Sequence, residues 1–243
     1  MPTQGQFFLY PYQYMNNHTC SVAILIDGGF FLKKYWTLVD PARSHTPVQV
    51  AKNLYTLALR HVRTNSYLYR IFYYDCAPFD KKVHNPVTKR VVDFKRTGQY
   101  LFRVQLFEEL KKKRKVALRL GVIKDSGNWS LRPGLTSDLI KGKIGIADLK
   151  DTDVSYDLRQ KGIDMKIGVD IASLAYKKFV NQIVLVSGDA DFVPASKLAR
   201  REGVDFILDP MWNNIDDSLF EHIDGLHSTC PKPGAYKEIL KPI

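Results

Sequence analysis

Four short apolar runs, each leading into an aspartate, constrain this chain more than any other feature. Val22-Ala-Ile-Leu-Ile26 ends at Asp27, and residues 68–74 end at Asp75. Ile183-Val-Leu-Val186 leads into Ser187-Gly-Asp-Ala-Asp191, and residues 204–208 end at Asp209. Continuous apolar runs of this length suit strands covered on both faces, as in a parallel sheet between helices. Segments with helical spacing lie between them. Residues 48–63 offer Leu54, Leu57, Ala58 and His61 to one face, and residues 164–180 offer Ile167, Ile171, Leu174, Ala175 and Phe179. Residues 194–201 open with Pro194 in the first turn and stop before Gly203. This alternation predicts an α/β fold with a parallel sheet flanked by helices. In such a sheet the strand C-termini share one edge, where ligands bind, so the aspartates are predicted to converge.

Residues 81–150 break the pattern. Proline, glycine and basic residues are dense there, a helix is predicted over residues 99–113, and a hairpin over residues 116–131 around Asp125-Ser-Gly127. We read one domain over residues 21–228 with this stretch as a basic insertion, preceded by an arm (1–20) and followed by a tail (229–243). The 36 Lys+Arg against 25 Asp+Glu leave a net charge of +11, which favours a polyanionic partner. Three cysteines without CxxC or Cys/His spacing disfavour zinc and a disulfide framework, and point to a reducing, cytoplasmic setting. No apolar run reaches the roughly 18 residues that span a bilayer, so no membrane partner is expected.

Clustered carboxylates repel one another, and a divalent cation relieves that repulsion. Oxygen-only donors suit Mg²⁺ or Mn²⁺. The alternative for any one aspartate is a turn or helix cap. Asp209, followed by Pro210, fits that alternative best, and Asp164 at a helix start fits it too. Asp27 with Gly28-Gly29, and the pair Asp189 and Asp191, exceed what a turn needs. A Lys166–Asp170 pair four residues apart is the competing role for Asp170.

Three motifs in order carry a family resemblance. Ile24-Leu-Ile-Asp-Gly-Gly-Phe30 resembles the first strand and leading aspartate of NYN-domain proteins, also called the LabA-like group. Lys161-Gly-Ile-Asp164, with Asp170 six residues on, looks like that family's Lys-Gly-Val-Asp helix start. Val186-Ser-Gly-Asp-Ala-Asp-Phe-Val-Pro194 is similar to its third signature. The resemblance implies a PIN-like, Rossmannoid fold and a nuclease site. The implied metal ligands and catalytic residues are Asp27, Asp164, Asp189 and Asp191, with Asp170 and Asp75 as a second tier.

The expected chemistry is Mg²⁺- or Mn²⁺-assisted hydrolysis of RNA phosphodiester bonds. An acidic site repels RNA, so a basic approach is needed. Lys111, Lys112, Lys113, Arg114 and Lys115 form the densest basic run, with Lys161 and Ser187 as further substrate contacts. Trp129, Tyr100 and Phe102 are candidate stacking surfaces for single-stranded RNA, with a core role the alternative for Phe102.

Other readings fit less well. A HAD-type phosphatase needs a second aspartate where this chain has Gly29, and Asp27-Gly-Gly-Phe-Phe31 lacks a dinucleotide-binding phosphate loop. A non-catalytic RNA-binding or regulatory protein on the same scaffold remains the rival.

Overall fold

A computed structural model describes residues 19–233; the expected arm up to residue 18 and the tail from residue 234 lie outside the described residues. In chain order the elements are β1 (Cys20–Asp27), α1 (Gly28–Leu38), α2 (Pro47–Leu59), β2 (Ser66–Cys76), β3 (Lys82–His84) and β4 (Val91–Asp93). Then come α3 (Gly98–Lys111), β5 (Val116–Leu131), α4 (Leu135–Ile140), β6 (Val154–Lys161) and α5 (Ile163–Tyr176). The chain continues with β7 (Gln182–Val186), α6 (Val193–Arg201), β8 (Asp205–Asp209), α7 (Asp217–Phe220) and β9 (Gly225–Leu226).

The main sheet has seven strands in the order β6-β5-β2-β1-β7-β8-β9. Every pairing is parallel except β5 with β6. The fold is thus α/β with a mostly parallel sheet between helices. β1 is central, and Val22 to Ile26 are all buried, as its unbroken apolar run requires. Alternate residues feed two cores. Val22, Ile24 and Ile26 pack with α1, α2 and α3, whereas Ala23 and Leu25 pack with α5 and α6. Each buried aliphatic side chain contributes about 1.5–3 kcal/mol, so one charged substitution in β1 would disrupt the layer its side chain enters.

Helix starts follow local chemistry. Thr46 caps α2 by accepting from the Gln49 N–H, the Gln49 side chain returns the bond, and Pro47 occupies the first turn. Thr97 caps α3 by accepting from the Tyr100 N–H. Helix α5 instead starts from Gly162, whose φ of +80° suits glycine. Asp164 therefore lies inside the first turn and is not the cap.

The predicted hairpin over residues 116–131 is corrected. β5 is one strand of 16 residues. Gly127, at φ +72°, takes up an irregularity between Asp125 and Trp129 without reversing the chain. Its antiparallel partner is β6, and β3 with β4 form a separate two-stranded sheet. The expected tail also starts later: Thr229 bonds to Asp209, and Cys230 is buried in the core. Among the described residues no helix is long and apolar enough to cross a membrane.

Candidate active site

The parallel register brings the predicted carboxylates to one edge. Asp27 pairs in register with Tyr74, directly before Asp75, and Ile26 pairs with Val186, directly before Ser187. The turn after β7 delivers Asp189 and Asp191, and the first turn of α5 delivers Asp164.

Asp27 caps α1, accepting from the Phe30 N–H at 3.1 Å. Burial pushes its carboxyl above the usual range, the Phe30 N–H opposes this, and Asp164 and Asp75 push it further up. Asp164 is raised by desolvation first and then by Asp189 and Asp191. Asp164 thus links the two halves of the acidic group electrostatically. Asp189 accepts from the Asp191 N–H at 3.0 Å, so it caps the short turn that presents both. Gly28 is required by packing, since a Cβ there would lie 2.5 Å from the Tyr73 ring and 2.7 Å from the Tyr74 carbonyl oxygen. Gly29 has room on the open side, where the nearest atoms to a Cβ are the Asp27 carboxylate at 3.4 Å and the Gln160 side chain at 3.6 Å.

Asp75 belongs to this edge but has a partner of its own. It is buried and ion-paired with Arg103 from α3, and accepts from the Cys76 N–H at 2.7 Å. Burial still raises its carboxyl, with Arg103 pulling the other way. Arg103 was not foreseen in this role. Its spacing from Leu106 and Leu110 puts it on the buried face of α3, a signal readable from the 3.6-residue period.

Two acidic residues are not part of the group. Asp170 accepts from Tyr74 Oη at 2.8 Å and pairs with Arg119 at 3.0 Å, in place of the expected Lys166 pair. Six residues along a helix is not a whole number of turns, so Asp170 points away from the face that carries Asp164. Asp209 ends β8 on the same sheet edge but is buried and consumed by structure. It bonds His61 Nε2 at 3.0 Å and accepts from the Met211 N–H at 2.8 Å and from Thr229. The expectation of a mere turn residue accounts only for the Met211 bond.

The basic run lies elsewhere. Lys115 precedes Val116, which pairs with Ile71 at the start of the β5 pairing, whereas Asp75 pairs with Leu120 near its end. At about 3.3 Å per residue, the run from Lys111 to Lys115 is roughly 15 Å from the acidic edge, on the opposite side of the sheet. Lys111 and Lys112 pair with Glu108 and Glu109, and Lys115 reaches the Leu68 carbonyl. Lys113 and Arg114 share that location. Lys161 is exposed at the end of β6, just before α5. Ser187 is buried, and its hydroxyl accepts from the Asp189 N–H at 3.4 Å, a turn contact. Phe102 packs edge-on against Trp36 beside the core, and Trp129 packs against Tyr156.

The donor chemistry suits a hard divalent cation. Asp27, Asp164, Asp189 and Asp191 offer only oxygen, and among the described residues no Lys or Arg forms an ion pair with any of them. Among the described residues no three acidic, His or Cys side chains are drawn tightly enough together to form a ready metal cage. The arrangement is an open group of mutually repelling carboxylates.

Residues 104–220 match the NYN domain family, a span that begins in α3 and includes Asp164, Asp189 and Asp191 but not β1 with Asp27. No curated protein matches the chain. The crystal structure of a protein of unknown function from Vibrio parahaemolyticus is 15% identical, with 88% of this chain and 96% of that one covered and a TM-score of 0.43. NYN domains are, as a family, nuclease-like and RNA-related, and typically use divalent metals. Residues 104–220 thus carry an NYN domain by their match to that family, and PIN-like superfamily membership follows from the family.

Proposed function

We propose that the protein is a metal-dependent ribonuclease that hydrolyses phosphodiester bonds in single-stranded RNA. The observation that carries this reading is the group of Asp27, Asp164, Asp189 and Asp191 at the strand C-termini. Burial and mutual repulsion push Asp27 and Asp164 upward, and no Lys or Arg among the described residues relieves them. A fold that keeps such a group forgoes stability that an apolar or neutral set would provide.

These four aspartates would hold Mg²⁺ or Mn²⁺, which when bound supplies an activated water and neutralises charge on the phosphate. The chain's own groups set the stage. The cap bond to Phe30 fixes the Asp27 carboxylate, and the turn at residues 189–191 fixes Asp189. The N-termini of α1 and α5 face the same edge and favour an anionic phosphate there. Lys161, exposed beside α5, is placed to balance charge on a bound strand. The three free cysteines suit a cytoplasmic setting.

The open spacing of the carboxylates favours the second reading, a non-catalytic RNA-binding protein on this scaffold. The two separate in one assay on labelled single-stranded RNA with Mn²⁺, then EDTA, then restored Mn²⁺. A ribonuclease cleaves, stops and resumes, whereas a binding protein retains the RNA and leaves it intact throughout.

A further inference from the structure

Beside the aspartates lies an open cleft of about 170 Å³ that the proposed hydrolysis does not use. Its walls include Phe79, Phe94, Tyr100, Arg103, Ile123 and Gln160. Two of these tie it to the acidic edge: Arg103 also pairs with Asp75, and Gln160 lies against the open side of Gly29, next to the Asp27 carboxylate. Anything bound in the cleft therefore sits next to the acidic group.

Its chemistry is selective. Phe79 and Phe94 pack edge to face at 5.0 Å and are braced by Tyr156, so they form a rigid wall. Tyr100 is half-buried on α3, and among the described residues no other ring packs on it. Ile123 adds an apolar surface, while Arg103 and Gln160 offer donors and an acceptor at the end nearest the aspartates. Aromatic faces with a few edge-reading polar groups are how unpaired bases are recognised. The adjoining surface is basic. Lys81, Lys95 and Arg96 have side chains 62%, 57% and 86% exposed, in surface pairs that a phosphate can displace.

We propose that this cleft holds one unpaired RNA base, from a nucleotide next to the phosphate that lies at the aspartates. The assignment rests on the RNA reading above and adds to it the reason for single-strand preference, since a paired base is not free to enter. It also gives the stretch from Phe79 to Tyr100 a role: its aromatic and basic residues, not the run from Lys111 to Lys115, receive the substrate.

The test is binding of the full chain, in EDTA, to a labelled short oligouridylate and to the same backbone with abasic sugars throughout. Wild type binds the base-bearing strand more tightly. Tyr100→Ala weakens that binding by about 5- to 150-fold, the range for loss of one stacked base, and leaves the abasic strand unaffected. Tyr100→Phe binds as wild type does. Equal loss on both strands, or no loss with Tyr100→Ala, overturns the base site. Should Tyr100→Ala misfold by circular dichroism, the wild type decides alone, and equal affinity for the two strands overturns the proposal. Adding Mn²⁺ to the same samples separates the two claims. Base-dependent binding without cleavage sinks the ribonuclease reading only, and cleavage with Tyr100-independent binding sinks the base site only.

Discussion

Arg103 on α3 reaches the buried carboxylate of Asp75 at the end of β2, and this ion pair joins the acidic edge to the helix that walls the neighbouring cleft. Removing Arg103 would leave a buried charge uncompensated. Arg103→Ala should therefore cost about 3 kcal/mol, the lower end of the range for breaking a buried pair, since the arginine is partly exposed. Burial already holds the Asp75 carboxyl above its ordinary range. A raised carboxyl favours the folded state below its unfolded value and loses that contribution as pH rises through the folded value. Without Arg103 the rise grows, so urea unfolding should show the largest penalty at neutral pH and a smaller one in acid.

Asp27→Asn should stabilise the metal-free protein. Asn is as good a helix cap as Asp, so the bond from Phe30 survives. The carboxyl is raised by burial and by Asp164 and Asp75, so its charged form is unfavourable in the folded state at neutral pH. By the same sign, the gain should appear as pH rises through the folded value and vanish in acid. We expect about 1 kcal/mol, read as a higher Tm in EDTA. Mn²⁺ should then raise the Tm of wild type more than that of the variant.

Asp170 and Asp164 should behave differently although they share one helix. Asp164→Asn should lower cleavage by about 100-fold or more, in keeping with loss of a group acting at the reaction centre. Asp170→Ala should leave the cleavage rate intact and cost about 1–3 kcal/mol, because it strands the Tyr74 hydroxyl and frees Arg119. Parallel cleavage and thermal melts on the two variants check both statements.

Replacing Lys112, Lys113 and Arg114 by Gln should leave cleavage of a short oligonucleotide at the wild-type rate, because that run lies on the far side of the sheet. A rate that falls in step with binding would show that the run does reach the substrate.

The sheet edge was legible because β1, β2, β7 and β8 are apolar enough to admit only a buried parallel placement, and the aspartates mark where each stops. What escaped had weaker or misleading local signals. Helix α1 begins with Gly28 and Gly29, weak helix formers that give no sign of a helix there, yet Gly28 is demanded by Tyr73 and the helix is capped by Asp27. Asp125-Ser-Gly127 has the composition of a hairpin turn, but Gly127 serves an irregularity within β5. In β6 only Val154, Tyr156 and Leu158 alternate with polar residues before the polar end Arg159-Gln-Lys161, a short signal for a strand at the sheet margin. The position of Lys111 to Lys115 follows from the direction of β5, which charge density cannot reveal. Asp209 shows the limit of single-residue reasoning, because its partners His61 and Thr229 are distant in sequence.

The most direct measurement is the cleavage rate of labelled single-stranded RNA by wild type and by Asp189→Asn in Mn²⁺. Asp189 is exposed and caps only a short turn, a role Asn keeps, so the substitution removes charge without removing structure. The account predicts cleavage by wild type and its loss in the variant, with RNA binding retained by both. Cleavage that survives Asp189→Asn, or proceeds equally in EDTA, would contradict it.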